Sequence, residues 1–433
     1  MRRGVFLGLL WLWSGCILGQ DTLRLTRRQC EQLFLQNNLL LLAQQLEVPK
    51  SEAEYWQARL WPNPTLSLDE VNLWAGARQL EVFHQTLPAF GPGTFGKNRQ
   101  ISLALEQLII TASKRRKLMA AEKIRIEKSQ SQFAELLRAL RTELRRLILS
   151  LQYGQQWEKL LQTQLERVRR LTAGFRRQVE AGNFPRAEWM RLKAIELSLQ
   201  NQISQTQLEN TVVQKELKIL IQVPENIFLY VQDTLSSPTY YSLDAGLLSA
   251  LTDTALSLRP DARQAALEYA YYDKRLAYEK SLKTPDITLK GGYDRGGNFM
   301  FNFIGFGLAL DIPVFHRNQG HIAWARLARD QAGLLLQQKR TEVRQEVATA
   351  FFNLGQAVKF FATMDPQYDA QLDAMMDSYE RNYQNRLISL LEFNDFMTAY
   401  MDNKKALLDA VRRVQECTEE LYFSVGKDVV LNP

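Results

Sequence analysis

Apolar residues recur through the first half of the chain at alternating steps of four and three. The series comprises Phe133, Leu137, Leu140, Leu144, Leu147, Leu151, Leu161, Leu165, Val168, Phe175 and Val179. Only Gly154, Glu158 and Thr172 interrupt it. A sustained seven-residue repeat keeps one seam of a helix against a partner helix and produces a left-handed supercoil. The pattern therefore predicts a coiled-coil helix over residues 112–180, roughly 100 Å long at about 1.5 Å per residue.

This helix is predicted to fold back on itself. Ala181-Gly-Asn183 is typical of a helix end, and Pro185 suits the first turn of a return helix that runs to about Ile221. A second hairpin of the same kind is predicted over residues 320–384, with its return helix over residues 389–425. Pro366 lies inside the outgoing helix and predicts a kink there.

Four shorter segments alternate between apolar and polar residues with period two, as strands do. They are Thr65–Val71, Ile101–Ile109, Asp286–Tyr293 and Phe301–Ile312. A helix over Thr26–Arg59, ended by Trp61-Pro-Asn-Pro64, precedes the first. The strands have the length of tilted transmembrane strands. Four strands cannot close a barrel, and an open sheet in lipid would leave its edges unpaired. If these strands span a membrane, several chains must share one barrel.

The two halves of the chain repeat one order of elements. Pro64-Thr-Leu-Ser-Leu68 aligns with Pro285-Asp-Ile-Thr-Leu289, and Gly182–Glu188 aligns with Arg386–Glu392. Each half therefore reads as helix, strand, loop, strand, very long helix, tight turn and long helix, which indicates one structural unit used twice. We predict a first repeat over residues 21–222, a linker over 223–242 and a second repeat over 243–433.

Composition and the N-terminus narrow the class of protein. The 433 residues are 46% hydrophobic with a net charge of +7, and the basic residues are interleaved with acids along helices, which argues against a nucleic-acid partner. Met1-Arg-Arg followed by the apolar stretch Val5–Leu18 predicts a signal peptide over residues 1–20, cleaved near Gly19 and Gln20. Lipidation of Cys16 stays open. No later segment is apolar for long enough to predict a transmembrane helix, which leaves the periplasm, secretion or an outer-membrane barrel as destinations.

No pattern indicates an enzyme or a cofactor. Phe90–Lys97 contains a G-x-G-x-x-G spacing, but it lies between two predicted strands instead of between a strand and a helix, so we interpret it as a loop. The three histidines, His84, His316 and His321, lack the spacing of a helical zinc pair. We therefore predict no catalytic, cofactor or metal site.

Acidic residues begin the second return helix. Glu392 and Asp395 are three apart and share a helix face, and Asp402 follows seven residues later. Acids in a first helical turn often serve only as partners of the helix dipole. In a ring of identical chains they would instead form acidic rings that favour cations at a pore mouth.

The order of these motifs resembles the outer-membrane efflux (TolC-like) family. The matching segments are Pro62–Leu68, Ser113–Arg116, Ala181–Pro185, Pro313–Gly320 and Leu387–Asp395. The resemblance covers nearly all of the mature chain and is closer to the heavy-metal (cation) efflux branch than to multidrug members. The chain departs from the family at Arg386, where glycine is usual, and this puts the local turn shape in question.

The resemblance implies a fold that is mainly α with a small β part: duplicated coiled-coil hairpins and four transmembrane strands per chain, assembled as a homotrimeric α/β-barrel tube. It implies an exit duct in the outer membrane of a Gram-negative bacterium, in contact with outer-membrane lipid and coupled through a periplasmic adaptor (membrane fusion protein) to an inner-membrane pump. The expected adaptor contacts are Gly182, Asn183, Phe184, Arg386, Leu387, Ile388 and Ser389. Glu392 and Asp395 fall at the expected periplasmic aperture.

A soluble periplasmic coiled-coil scaffold or adaptor remains the alternative. The two classes differ in the strands, because a membrane sheet needs one continuous apolar face. Leu66, Leu68, Val71, Leu103 and Leu105 fit such a face only in part.

Overall fold

Helices make up most of the structure, a computed structural model that describes residues 22–72, 100–235, 245–295, 302–365 and 367–429. In chain order the elements are β1 (Thr22–Leu25), α1 (Arg27–Asn37), α2 (Leu39–Gln45), α3 (Glu47–Arg59), β2 (Thr65–Asn72), β3 (Gln100–Ile109), α4 (Lys114–Glu180), α5 (Arg186–Ile221), β4 (Phe228–Val231), α6 (Ala245–Leu258), α7 (Pro260–Ser281), β5 (Ile287–Arg295), β6 (Phe303–Leu310), α8 (Gln319–Phe361), α9 (Tyr368–Gln384) and α10 (Leu390–Val425). Within those residues, none of the helices is both long and apolar enough to cross a bilayer.

The chain divides into two compact units. The first contains Met1–Leu40, Leu137–Leu248 and Ala348–Pro433, and the second contains Leu41–Leu136 and Ser249–Val347. Both units draw on both predicted repeats. The two sequence repeats therefore do not fold as two separate bodies. Each compact unit combines corresponding segments of both repeats.

The helical region between β1 and β2 is three helices, so the single helix predicted over Thr26–Arg59 is wrong. Thr26 caps α1 as expected, because its hydroxyl accepts the Gln29 N–H at 3.3 Å and the Gln29 side chain accepts the Thr26 N–H at 2.8 Å. Asn38 then adopts an extended conformation and ends α1. Pro49 has no N–H to offer the carbonyl four residues earlier, so α3 starts afresh with this proline in its first turn.

The first hairpin matches its prediction closely. α4 contains 67 residues and α5 contains 36, and the two are joined by a turn over residues 181–185. Of the predicted seam, Leu144, Leu151, Leu161, Leu165, Val168 and Phe175 are buried. Gly154 interrupts the apolar series because an added Cβ there would lie 1.8 Å from Oδ1 of Asn210 on α5.

The second hairpin differs from its prediction. We expected one kinked outgoing helix over residues 320–384, but α8 ends at Phe361 and α9 begins at Tyr368. The chain between them tightens, with the Thr363 and Met364 N–H groups donating to carbonyls three residues earlier. Proline disfavours helical geometry at the residue before it, which explains a break next to Pro366, although Pro366 lies outside the described residues. The return helix α10 begins as predicted, with Ser389 as its N-cap.

The core of the first unit is built by the helices of both hairpins. Its buried residues are Leu161, Leu165, Val168, Leu171, Phe175, Phe184, Leu192, Leu199, Leu372, Met376, Tyr383, Leu390, Phe393, Met397, Tyr400 and Met401. All but Phe184, which lies in the turn between α4 and α5, come from α4, α5, α9 and α10. The two copies of the hairpin therefore pack against each other and share one apolar core.

The strands form two sheets, one in each unit. In the second unit, β2, β3, β5 and β6 form an antiparallel sheet in that order, so the central β3–β5 pairing joins the two repeats. In the first unit, β1 pairs in parallel with β4. The predicted linker over 223–242 contains the short strand Phe228–Val231.

Candidate functional site

The four-stranded sheet has one almost entirely apolar face. Residues paired across neighbouring strands point to the same side of a sheet, so the pairing assigns each residue to a face. One face carries Leu66, Leu68, Ile101, Leu103, Leu105, Gln107, Ile109, Ile287, Leu289, Gly291, Tyr293, Ile304, Phe306, Leu308 and Leu310, with one charged residue, Arg295, at the end of β5. Phe306 is 90% exposed and Leu308 is 70% exposed. A surface of this kind suits lipid and not water.

The opposite face is polar or small apart from Leu108 and Phe303. It carries Thr65, Ser67, Asp69, Ser102, Ala104, Glu106, Thr288, Lys290, Gly292, Asp294, Gly305, Gly307 and Ala309. Lys290 pairs with Glu106 at 2.5 Å across β5 and β3. Alternating sheets also occur in soluble proteins, where the apolar face is buried, and this sheet differs from them because its apolar face is exposed.

The first helical tip ends α4 in a Schellman motif. Gly182 has a φ of +74°, which glycine adopts without strain. The Gly182 N–H donates to the Val179 carbonyl at 3.0 Å, and the Asn183 N–H donates to the Gln178 carbonyl at 2.8 Å. These are the two hydrogen bonds that define the motif.

The second tip has the same shape although its left-handed residue is an arginine. Arg386 has a φ of +59°. Its N–H donates to the Tyr383 carbonyl at 3.0 Å, and the Leu387 N–H donates to the Asn382 carbonyl at 2.8 Å. Replacement of the usual glycine has therefore left the turn unchanged.

The side chain of Arg386 connects the second tip to the first. Its Nη2 donates to the Asn183 carbonyl at 3.2 Å and also to the side-chain oxygen of Gln178. Its guanidinium carbon lies 6.0 Å from the centre of the Phe184 ring. These contacts offset part of the cost of a left-handed arginine.

Stacked aromatic rings support both tips from below. Phe175 stacks on Phe184 with ring centres 4.3 Å apart, and Tyr383 stacks on Phe393 at 5.1 Å. Phe175 meets Tyr383 edge to face at 5.5 Å and so links the two pairs. All four rings are buried. Phe184, predicted as an adaptor contact, is therefore part of the core beneath the tips.

A small cleft of about 180 Å³ lies between the tips. Its walls are Phe184, Pro185, Glu188, Tyr383, Arg386, Ile388 and Ser389. The hydroxyl of Tyr383 is buried, with no hydrogen-bond partner in the part of the chain that the structure describes. Burial, and then the negative charge of Glu188, raise the pKa of this phenol. It therefore stays protonated at any physiological pH.

The two predicted aperture acids have different surroundings. The Glu392 carboxylate accepts the Ser389 N–H at 2.8 Å and the Ser389 hydroxyl at 2.9 Å, which completes a capping box at the start of α10. These hydrogen bonds, backbone first, lower the pKa of Glu392. Asp395 lies one turn further along α10 and is exposed. Asp402, seven residues beyond Asp395, is also exposed.

Sequence reasoning missed the ion pairs that attach α9 to its neighbours. Arg167 on α4 pairs with Asp377 and Glu380, each at 2.6 Å. Lys404 on α10 pairs with Asp369 at 2.6 Å and Asp373 at 2.7 Å. The four acids recur at steps of four, four and three. That spacing places them on one helix face and could have been recognised.

Several predicted features lie outside the described residues, namely Gly19, Gln20, His84 and the loop Phe90–Lys97. Across the residues that are described, no three His, Cys, Asp or Glu side chains are grouped as a metal site requires.

An open antiparallel sheet with one lipid-compatible face, together with paired coiled-coil hairpins, is typical of the class of membrane channels with a helical extension. The family model for outer membrane efflux proteins matches residues 31–220 and 251–427. The chain belongs to this outer membrane efflux protein family. A search of curated proteins found no match.

Solved structures with the same fold include several outer-membrane channels. CusC is 18% identical with a TM-score of 0.72, over 93% of this chain and 92% of that one. The Campylobacter jejuni CmeC outer membrane channel is 14% identical with a TM-score of 0.73, over 93% and 86%. The open state of the Neisseria gonorrhoeae MtrE outer membrane channel is 16% identical with a TM-score of 0.71, over 93% and 89%. At these identities the likeness establishes the fold.

The family match and the fold together establish an efflux channel of the Gram-negative outer membrane with a long periplasmic extension. The alternative of a soluble scaffold is not favoured, because the apolar sheet face that it would lack is present. Family members are channels, not enzymes.

Proposed function

We propose that three copies of this chain form a passive exit duct, coupled through a periplasmic adaptor to an inner-membrane pump that supplies the energy. The observation that carries the proposal is the sheet, with an apolar face, a polar face and two outer strands. Among the described residues, β2 pairs only with β3 and β6 pairs only with β5. Their free backbone groups need partners in lipid.

A ring of three copies, the number that the resemblance implies, would satisfy this need. The strands alternate in direction, so β6 of one copy would meet β2 of the next in an antiparallel pair. Repeating the contact head to tail closes a ring in which every strand has two neighbours. The apolar face would point to lipid, and the polar face with Glu106 and Lys290 would line the bore.

The exposed surface of the two tips is the proposed adaptor contact. Leu387 is 72% exposed, and Gly182, Asn183 and Ser389 are also exposed. An apolar side chain presented on a rigid turn is a suitable anchor for a protein partner. Phe184 contributes indirectly, by holding both tips in position.

Asp395 is the proposed main charge at the periplasmic aperture. Its carboxylate is exposed, whereas that of Glu392 is engaged by Ser389. In a trimer, three copies of Asp395 would form an acidic ring that favours cations. Such a ring is compatible with a cationic cargo, and the resemblance leaves both a metal ion and a drug or other small molecule as exported substrates.

Single-channel conductance in planar bilayers tests the duct and its aperture together. The purified protein should form trimers with a central lumen and conduct weakly. Asp395→Asn should reduce cation selectivity and make the closed duct leakier. Arg344→Gln, an exposed change on α8, is the matched control and should conduct as the parent does. A monomer without a lumen would refute the duct, and an unchanged Asp395→Asn channel would refute the aperture role alone.

A further inference from the structure

Four connections between strands and helices lie together at one end of the sheet in the second unit. The pairing of Ile109 with Ile287, and of Ile287 with Leu310, places the end of β3, the start of β5 and the end of β6 side by side. The start of β2 joins them through the pairing of Thr65 with Glu106. The chain here passes from the sheet to α3, α4, α7 and α8.

A compact group of two arginines and a tryptophan occupies this end. The Arg115 guanidinium lies 4.1 Å from the centre of the Trp61 ring. Its Nη1 donates to the backbone carbonyl of Arg59 at 3.1 Å, which holds the Arg115 side chain against the chain just before Trp61. Trp61 is 57% exposed, and Arg59, two residues earlier, is also exposed. We call Arg59, Trp61 and Arg115 the junction cluster.

The junction cluster carries positive charge without a matching carboxylate. No salt bridge involves Arg59 or Arg115 within the described ranges, and the nearby Arg116 bonds only the Ser113 hydroxyl at 2.7 Å. Asp286, the acid that starts β5, is already paired with Lys114 at 2.7 Å. Asp311 is exposed at the end of β6, where the exposed Arg317 follows it.

Apolar surface extends from the sheet to the same level. Beyond Leu310, Ile312 is 74% exposed and Phe315 is 91% exposed, and Trp56 on α3 is 64% exposed. Tryptophan next to basic residues, bordering an apolar band, is characteristic of the level where a membrane meets water. The junction cluster therefore lies at the end of the sheet that also carries exposed apolar side chains.

We propose that the junction cluster binds the phosphate of an anionic phospholipid headgroup at the periplasmic surface of the outer membrane. Guanidinium groups match phosphate oxygens with paired hydrogen bonds, and the Trp61 ring holds one of them in orientation. The proposal rests on the proposed function, because it requires the sheet to lie in the bilayer. Each cation near an anionic lipid surface strengthens binding by roughly five-fold.

Native mass spectrometry of the full chain in neutral detergent tests the proposal. Phosphatidylglycerol and phosphatidylcholine are added in equal amounts, and the bound lipids are counted. The parent should retain phosphatidylglycerol preferentially. The double variant Arg59→Gln and Arg115→Gln should lose this preference by roughly 25-fold, from two cations at about five-fold each. Arg344→Gln, which removes one exposed charge from α8, should keep it.

Arg115→Lys separates a charge effect from a folding effect. Lysine keeps the charge but not the planar fork, so Arg115→Lys should retain the part of the preference that charge alone supplies and lose the part that the paired hydrogen bonds supply. Equal binding of the two lipids by the parent would overturn the proposal. So would a double variant that keeps the preference, or one that loosens the trimer without changing it, which would assign the cluster to a contact with a second copy.

The proposed duct has a separate readout in membranes taken from the same cells before detergent is added. Loss of the protein from the membrane fraction on carbonate extraction would refute the membrane sheet itself. A membrane-bound trimer without lipid preference would refute only the junction cluster as a lipid site.

Discussion

Arg386 shows how one residue can hold an unfavourable backbone conformation. A left-handed residue other than glycine costs roughly 1–2 kcal/mol. Here the side chain reaches the other tip and bonds Asn183 and Gln178. The sequence identified the departure from glycine, but it could not show this compensation, because Gln178 and Arg386 are 208 residues apart.

Two substitutions at Arg386 separate the backbone from the side chain. Arg386→Ala should lower the apparent melting temperature, since it removes the contacts between the tips and keeps the strained φ. Arg386→Gly also removes the contacts but relieves the backbone, so it should be more stable than the alanine variant by about 1 kcal/mol. Thermal unfolding followed by circular dichroism measures both, and equal stabilities would contradict this account.

Hydrogen exchange at the tips provides a second measurement. Both variants should exchange faster than the parent at the backbone of residues 181–185, because the first tip loses the same two bonds in each. Protection that is unchanged at these residues would show that Arg386 does not connect the tips.

The capping box at α10 predicts a stability that depends on pH. The pKa of Glu392 is lower in the folded chain than its ordinary value of 4.5. Its contribution is therefore complete above that value and is lost as the pH falls through the folded pKa. The difference in melting temperature between the parent and Glu392→Ala should shrink in acid. Ser389→Ala should lower the melting temperature at every pH, because it also removes the hydroxyl that accepts the Glu392 N–H. A difference that grows in acid would contradict the assignment.

At the scale of elements, the seven-residue repeat predicted α4 and its buried seam, because one face of a long helix is visible in sequence. The repeat did not predict Ile148, Leu149 and Leu171, which are also buried. α4 contributes to a core shared with α5, α9 and α10, so more than one of its faces is covered. A single period in the sequence indicates the most regular apolar face of α4 and not its other buried faces.

The interruptions of helices were harder to predict than the helices. Asn38 ends α1 because its side-chain amide bonds the Leu220 carbonyl at 3.0 Å, a contact between residues 182 apart. Sequence alone gives no sign of such a partner. The break before α9 did have a local sign in Pro366, but proline predicts a kink or an end equally well.

Gly154 and Asn210 should behave as a coupled pair. A methyl group at residue 154 would collide with Asn210, so Gly154→Ala should destabilise the hairpin by about 1–3 kcal/mol. Combining it with Asn210→Ala should restore much of that loss, because the added methyl then fills the vacated space. A double-mutant cycle measured by thermal unfolding quantifies the coupling. Additive losses would show that the two side chains do not compete.

At the scale of the molecule, the sequence predicted four strands but not how they pair. Neighbouring hairpins could each have formed a sheet of their own, and only the structure shows that β3 pairs with β5. That pairing assigns the residues to faces. In sequence, Leu66, Leu103 and Leu105 matched an apolar strand face only in part, but in the sheet they lie together on one continuous apolar face. The aperture and tip contacts stay predictions, since they concern partners and copies.

The two faces of the sheet should respond oppositely to charge. Leu308→Arg places a cation on the apolar face and should cost about 2–4 kcal/mol if that face lies at the middle of the bilayer. Ala309→Arg places the same residue on the polar face and should be tolerated. Carbonate extraction followed by immunoblotting measures retention in the membrane. Equal retention of the two variants would contradict the assignment of faces.

The outer strands β2 and β6 have a genetic consequence. If each copy in the proposed ring of three must pair with a neighbour on both sides, one damaged outer strand prevents the whole ring from closing. A cell that makes intact and edge-damaged copies in equal number would assemble only about one ring in eight from intact copies alone. Damage confined to an outer strand would therefore be inherited as a dominant-negative trait, whereas a deletion of the entire gene copy would be recessive.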